Sequence, residues 1–327
     1  MTGDGKQDNR DWAKDNNSEG AFEEELDEFF SRKEVVAALD AANSNKLGAP
    51  FKVPDIVIEW GMKQVSGRNM GYRTVAKKIE RKMKKRGLKW IRYSQFYKRC
   101  QELKVHDGTT VVTDARIMAY GTGQVPLGDD ITVIFDASGL SPDRPSGWRV
   151  FYWDESSVRG WYKIHAAVDA EKHWVLAYVI TEPYVNDAAV FDLLMDLVLS
   201  AGHKVAKVLA DAAYDSKDNW NRMESLGIEF IANIRGSLDD RKRNSSSGRC
   251  KGCRSRAKHV KRIREVGREQ WKKEVGYGQR WNVESTFADL KRILGDTIRA
   301  RARDCVAGMI GWMVRVFNIY KVVRDSL

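Results

Sequence analysis

The chain has 327 residues, of which 43% are hydrophobic and 31% charged, a balance that excludes a wholly disordered, collagen-like or fibrous protein. Lysine and arginine total 56 against 45 acidic residues, and the net charge of +11 indicates a polyanionic partner. The sequence has no signal peptide pattern, no apolar run of spanning length and no disulfide framework among its four cysteines. We therefore expect a cytoplasmic protein of about two domains.

The first 50 residues are predicted to form an acidic, disordered leader and a linker. Residues 1–32 contain ten acidic and four basic residues and are rich in Asp, Asn, Gly and Ser. This composition is typical of a disordered segment. Residues 29–39 have some helical character, and residues 43–50 resemble a linker.

Residues 51–107 are predicted to form a small helical domain that binds DNA. Tyr72 to Lys85 has an apolar stripe, with lysine and arginine on the remaining faces, as in an amphipathic helix. Gly87 ends this helix, and a further helix follows with Lys98 and Arg99 directed outward as candidate DNA contacts. The pattern indicates a helix-turn-helix-like domain, although small three-helix domains also serve as plain packing units.

From Asp130 the pattern changes to strands, and residues 130–327 are predicted to form one α/β domain. Three strands come before any helix, and helices then alternate with two more strands. A basic, Ser- and Gly-rich insertion at about 236–274 and closing helices follow. A strand meander continued through helices predicts a mixed β-sheet with helices on its faces, not a doubly wound parallel sheet.

Three carboxylates stand out in this domain. Asp136 and Asp211 each follow a short apolar strand, and Glu284 lies on a predicted helix whose face also carries Arg280 and Lys291. Oxygen ligands from three separate elements suit two Mg²⁺ or Mn²⁺ ions, which can activate a nucleophile at a phosphodiester and stabilise the leaving oxygen. The alternatives are that the aspartates only form turns and that the helix carries a surface salt-bridge ladder.

The spacing of the helix motif resembles a known family. Tyr277, two residues, Arg280, three residues, Glu284, six residues and Lys291 match the Y-R-E-K signature of the insertion-sequence DDE transposases. The stretches at 211–214 and 135–140 resemble the second and first motifs of the same family. The resemblance covers about residues 130–323.

The resemblance implies a ribonuclease-H-like catalytic fold with Asp136, Asp211 and Glu284 as the metal-binding triad. It also implies that Tyr277, Arg280 and Lys291 hold phosphates near the transposon end. In the implied reaction, water attacks the phosphodiester at the end of the element, and the freed 3′-hydroxyl then attacks the target strand. The implied partners are double-stranded DNA, as terminal inverted repeats and target, and a second protomer in a synaptic complex.

Other features of the sequence leave alternatives open. Trp271 and Trp281 are the nearest candidates for stacking on unpaired bases, although either can be a core residue. The Cys250 and Cys253 pair has His259 nearby but no obvious fourth ligand, so a zinc site is not expected. A nuclease or resolvase of the same fold, or a DNA-binding regulator that does not use its carboxylates, would show the same motifs.

Overall fold

A computed structural model describes residues 12–103, 110–111, 117–122, 125–142, 161–235, 253–298, 300 and 303–327. The chain divides into two compact units, one formed by the chain up to Leu103 together with Val316–Leu327, the other by Lys104–Arg315.

The first unit is helical. Its helices are α1 (Trp12–Asp27), α2 (Arg32–Asn43), α3 (Asp55–Gly67), α4 (Tyr72–Lys85) and α5 (Tyr93–Glu102). Helix α4 is amphipathic as predicted, because Val75, Ile79 and Met83 recur at helical spacing and are buried, while basic residues occupy its other faces. Helices α3, α4 and α5 fall within the predicted helical domain.

The prediction of a disordered leader is wrong for the part that α1 occupies, whereas α2 overlaps residues 29–39, for which helical character was predicted. Phe22 and Leu26, one helical turn apart, are 4% and 0% exposed and anchor α1 despite its acidic surroundings. Helix α2 begins with a capping box, in which the side chains of Ser31 and Glu34 each bond to the other's backbone N–H. Residues 1–11 lie outside the described part of the chain.

The second unit is built on a mixed sheet, which confirms the predicted fold class. Its strands are β1 (Thr110–Val111), β2 (Ile117–Thr122), β3 (Ile131–Pro142), β4 (Tyr162–Asp169), β5 (Val175–Thr181), β6 (Val205–Ala210), β7 (Glu229–Ala232) and β8 (Thr297–Ile298). The order is β1-β2-β5-β4-β3-β6-β7, and β8 pairs with the end of β3. Strand β4 is antiparallel to both neighbours, whereas β3, β6 and β7 run parallel.

The remaining helices are α6 (Phe191–Ser200), α7 (Lys217–Ser225), α8 (Arg254–Val266), α9 (Arg268–Glu274), α10 (Trp281–Leu294) and α11 (Arg303–Asp325). All seven residues of β5 are buried, as expected for a strand covered on both faces of the sheet. The described part of the basic insertion forms α8 and α9, and the insertion contains no strand among its described residues. Residues 236–252 lie outside the described part of the chain.

Helix α11 departs from prediction in two ways. The segment Cys305–Asp325 is long and apolar enough to span a membrane, but 72% of its most apolar window is buried within the protein, as in a core helix. Its end also belongs to the first unit, where the Tyr320 ring packs 5.4 Å from the ring of Phe22. The second compact unit therefore ends at Arg315, twelve residues before the predicted boundary at 327.

Candidate active site

Asp136 and Asp211 each come directly after one of two residues that lie side by side in the parallel strands β3 and β6. Strands β3 and β6 pair in parallel up to the residues directly before Asp136 and Asp211. Asp136 Oδ1 accepts a hydrogen bond from the Ala137 N–H at 2.9 Å, and Asp211 Oδ1 accepts one from the Ala213 N–H at 2.6 Å. Asp211 directly follows the last residue of β6, whereas Asp136 lies within β3, which continues to Pro142 instead of ending before Asp136 as the sequence predicted.

Glu284, the third carboxylate, is linked to the end of β6 by a residue that precedes it in the chain. Glu284 lies in the first turn of α10, and its side chain is 46% exposed. A 3₁₀ turn, Tyr277–Arg280, leads into that helix, where the sequence suggested a continuous α-helical face. The Tyr277 hydroxyl donates a hydrogen bond to the carbonyl oxygen of Ala210 at 3.0 Å, directly before Asp211. The start of α10 is therefore fixed to the end of β6.

Arg280 lies between two of the carboxylates. Its Nη2 is 3.0 Å from Glu284 Oε1, and its Nη1 is 3.6 Å from Asp136 Oδ2. Burial, together with the charges of Asp211 and Glu284, raises the pKa of Asp136 to about 6 against the opposing effects of the Ala137 N–H and Arg280. Asp136 is therefore close enough to both other carboxylates to respond to their charges, and the guanidinium of Arg280 contacts Asp136 and Glu284.

The donor chemistry of this group fits a hard divalent cation, since carboxylate oxygens are the ligands that Mg²⁺ and Mn²⁺ prefer. No three His, Cys, Asp or Glu side chains of the described residues converge closely enough to hold a metal ion as they stand. Glu284 Oε1 instead accepts a hydrogen bond from Arg280 Nη2 at 3.0 Å. A cation shared by Asp136, Asp211 and Glu284 would replace that contact.

A cleft of about 860 Å³ opens beside Asp211. Its lining includes Asp211, Asn233, Lys272, Lys273, Arg280 and Trp281. Trp281 is 62% exposed, and its ring lies 5.3 Å from the guanidinium carbon of Arg280. An exposed aromatic ring beside a cation is suited to stack on an unpaired base. Trp271 is fully buried and donates its indole N–H to His259 Nδ1 at 3.2 Å, so only Trp281 is positioned for that role.

The other side chains predicted to contact DNA, those of Lys291, Lys98 and Arg99, differ in how accessible they are. Lys291 lies in the last turn of α10 and is partly exposed. In the first unit, the side chain of Lys98 is 76% exposed. The guanidinium of Arg99 donates to the Val53 carbonyl oxygen at 2.6 Å and forms an ion pair with Asp55. Arg99 therefore stabilises its own unit, and Lys98 is the accessible one of the pair.

A buried ion pair next to the site was not predicted. Asp215, four residues after Asp211, accepts two hydrogen bonds of 2.7 Å from Arg256, and their side chains are 0% and 3% exposed. The carboxylate also accepts from the indole N–H of Trp220 and the backbone N–H of Arg235. From sequence, Arg256 was only one of the many charges of the basic insertion. The pair instead anchors α8 to the loop that carries Asp211.

Fold and site together define the class of this protein. The strands β5-β4-β3-β6-β7, with β4 antiparallel to its neighbours, one aspartate within β3 and one directly after β6, form a ribonuclease-H-like domain. The chain belongs to the transposase DDE domain family, whose model matches residues 127–319, more than half of the chain. The resemblance to DDE transposases is thereby confirmed, whereas the Y-R-E-K signature itself stays a prediction.

Similarity to solved structures is distant. The Drosophila P element transposase strand transfer complex has a TM-score of 0.28 and 14% identity over 64% of this chain and 43% of that one. The Mos1 strand transfer complex has a TM-score of 0.25 and 14% identity over 74% and 80%. A simian T-cell lymphotropic virus intasome in complex with PP2A regulatory subunit B56 gamma has a TM-score of 0.25 and 12% identity over 68% and 65%. The chain thus covers less than half of the P element transposase chain, and likeness at this level does not bear on activity.

Proposed function

We propose that this protein is a DNA transposase that binds the ends of an insertion sequence and catalyses metal-dependent strand cleavage and strand transfer. The observation that carries the proposal is the position of Arg280, 3.0 Å from Glu284 and 3.6 Å from Asp136, with Asp211 directly after the neighbouring strand, in a transposase DDE domain. The net charge of +11 supports a polyanionic substrate.

The three carboxylates are proposed to hold divalent metal, as a pair of Mg²⁺ or Mn²⁺ ions. Bound there, the ions would lower the pKa of the attacking water or hydroxyl and neutralise charge on the leaving oxygen. The protein itself holds the carboxylates in position. The backbone bond to Ala213 fixes Asp211, and the Tyr277 hydroxyl fixes the start of the helix that carries Glu284. Because that hydroxyl is already bonded, Tyr277 is proposed as a positioning residue instead of a direct phosphate ligand.

The DNA near the cleaved bond is proposed to contact three side chains of the same region. Arg280 would exchange its contact with Glu284 for a phosphate oxygen once metal is present, since guanidinium binds both anions in the same forked geometry. Lys291 would bind a phosphate further along the strand. Trp281 would stack on an unpaired base at the element's end, because its exposed ring borders the cleft beside Asp211.

The two units are proposed to divide the work. Residues 51–107, nearly all in the first unit, would bind the terminal inverted repeat, with Lys98 as one contact, and the second unit, from residue 130 to Arg315, would carry out cleavage and joining. Two protomers would hold two ends in a synaptic complex in the cytoplasm of a prokaryotic cell. Target DNA would then accept the freed 3′-hydroxyl.

The test is a cleavage and joining assay on purified protein. Labelled DNA that carries the element's own ends is incubated with a target plasmid and with Mg²⁺, Mn²⁺ or a chelator. The variants are Asp136→Asn and Glu284→Gln, which remove a charge with little change in shape. Asp289→Asn on α10 is the matched control, because it makes the same change on the same helix beside Arg292.

The expected result is metal-dependent cleavage and joining by the unmodified protein and by Asp289→Asn, with neither product from the two triad variants. Cleavage without joining would favour a nuclease or resolvase. Tight binding of the ends with no metal-dependent product in any of the proteins would contradict the enzymatic proposal and leave a DNA-binding regulator.

A further inference from the structure

We infer that α4, more than α5, is the helix with which the first unit contacts double-stranded DNA. This inference rests on the proposed function and identifies the surface that would bind the duplex. The sequence pattern predicted DNA contacts on α5, at Lys98 and Arg99. The lengths of the connections and the positions of the charges favour α4.

The connection lengths show which two helices form a helix-turn-helix pair. That motif joins its helices by a turn of about three or four residues that often contains glycine, and its second helix enters the major groove. Helices α3 and α4 are joined by four residues, Arg68–Gly71, in which Asn69 has a φ of 50° and so turns the chain sharply. Helices α4 and α5 are joined by seven residues, 86–92. The short turn therefore makes α4 the second helix of the motif.

The charges of α4 are divided between two faces. The helix contains seven basic residues and one acidic residue. On the inner side, Lys78 forms an ion pair with Asp27 of α1 at 2.9 Å, and Lys82 lies 5.3 Å from the ring centre of Trp60 in α3. These two lysines fasten α1 and α3 to α4. The basic residues classed as exposed are Arg73, Lys77, Arg81, Lys84 and Lys85.

The exposed cations form a row that suits a phosphate backbone. Arg81 and Lys85 are four residues apart, about 6 Å along the helix axis, and neither forms an ion pair with any residue that the structure describes. Lys77 and Lys84 each lie 2.9 Å from Glu80, but such exposed pairs are weak and yield readily to a phosphate. Clefts of about 700 and 680 Å³ border the row on either side.

Helix α5 has far fewer positive charges available to bind phosphates than α4 has. It has two basic residues and one acidic residue. Arg99 is committed to Val53 and Asp55, and Lys98 lies 3.6 Å from Glu102 in the same helix. Lys98 can therefore bind a phosphate at the edge of the bound duplex, but α5 cannot supply the main cationic surface.

The experiment measures binding of labelled duplex, either the element's end or a scrambled sequence, by fluorescence anisotropy over a series of salt concentrations without divalent metal. The variant is Arg81→Gln with Lys85→Gln. The matched control is Lys33→Gln with Lys217→Gln, which changes the net charge equally at two exposed positions that are not part of α4. Circular dichroism and thermal unfolding verify that all proteins are folded.

We expect the α4 variant to bind both duplexes more weakly, on the order of tenfold for each phosphate that is no longer neutralised at about 0.1 M salt. The slope of log affinity against log salt should become shallower by about 0.9 for each such phosphate, while the control stays unchanged. Equal weakening in variant and control would overturn the inference and reduce the effect to net charge. A loss of affinity confined to the element's end would overturn the assignment of these residues to the phosphate backbone.

Because the assay contains no divalent metal, its outcome does not depend on cleavage. If the unmodified protein binds DNA and the α4 variant binds equally well, the inference fails while the proposed transposase activity stands. If the unmodified protein binds neither duplex, the proposed function fails with it.

Discussion

The hydroxyl of Tyr277 donates a hydrogen bond to the carbonyl oxygen of Ala210, 3.0 Å away, and so joins the turn before α10 to the end of β6. Burial raises the pKa of Tyr277 to about 12, so the hydroxyl keeps its proton and remains a donor throughout the physiological range. Since Asp211 follows Ala210 and Glu284 follows the turn, this bond helps to set the relative position of two elements of the candidate site, together with the bond from Lys207 of β6 to the Val275 carbonyl oxygen.

Tyr277→Phe removes this donor and keeps the ring. We expect a loss of about 0.5–1.5 kcal/mol in the free energy of unfolding, the usual contribution of one hydrogen bond. The rate of DNA cleavage should fall by more than this loss of stability alone would cause, because the helix that carries Glu284 loses its link to the end of β6. Urea unfolding and the cleavage assay measure the two effects. Tyr184→Phe, at a ring that is 62% exposed, should change neither quantity. Cleavage by Tyr277→Phe at the unmodified rate would show that the bond does not position Glu284.

The ion pair between Asp215 and Arg256 predicts a strong effect on stability. Asp215→Asn leaves the Arg256 guanidinium buried without a counter-charge, which costs about 3–5 kcal/mol. The comparison is Glu274→Gln, which removes one of the two acidic partners of Arg262 from an exposed pair of the same 2.7 Å length and should cost far less. Urea denaturation monitored by tryptophan fluorescence measures both. Similar midpoints for the two variants would mean that burial adds nothing to the Asp215 pair.

The fold was predictable from sequence where hydrophobic periodicity was strong. The strands from Ile131 onward are short apolar runs bounded by turns, and their alternation with helices gave the mixed sheet. Helix α1 was missed because its six acidic residues concealed two buried positions, Phe22 and Leu26. The short strands β1 and β2 were also missed, because they lie in a segment without a clear alternating pattern.

The candidate site, like the fold, was predictable only where the sequence carried a local signal. An acidic residue after a short apolar run and the helical spacing at 277–291 were local signals, and they are the basis on which Asp136, Asp211 and Glu284 were predicted as site residues. Asp215 and Arg256 are 41 residues apart, and no local pattern in the sequence links them. Contacts of this kind depend on how elements pack, as does the engagement of Arg99 with Val53. The sequence therefore provided candidate site residues but not the residues, such as Asp215 and Arg256, whose contacts hold the surrounding elements together.

Histidine burial predicts how stability depends on pH. His259 Nδ1 accepts the indole N–H of Trp271, which requires an unprotonated nitrogen, and burial lowers the pKa of His259 below 6.5. The native state therefore binds this proton less readily than the unfolded state does. The corresponding stability is present above pH 6.5 and is lost as the pH falls below it. The pKa values of His165 and His203 are lowered by burial as well, so they add to the same trend.

We expect the free energy of unfolding to decrease between about pH 7 and about pH 5.5, with His259 contributing at most about 1.4 kcal/mol for each pH unit below its unfolded pKa. His259→Gln should show a smaller decrease than the unmodified protein, whatever its stability at pH 7. Urea unfolding at a series of pH values gives both curves. Parallel curves for the two proteins would exclude a contribution from His259.

Trp281 tests how the cleft beside Asp211 is used. Because the ring is 62% exposed, Trp281→Ala should change the free energy of unfolding by less than about 0.5 kcal/mol. If the ring stacks on an unpaired base, the same change should weaken binding of pre-cleaved ends by about 1–3 kcal/mol. Trp281→Phe keeps an aromatic face and should recover most of that loss. Binding measured with ends that carry an unpaired terminal base and with fully paired duplex separates stacking from general affinity. An equal loss on both substrates, or no recovery by Trp281→Phe, would assign Trp281 to packing against Arg280 instead of to the DNA.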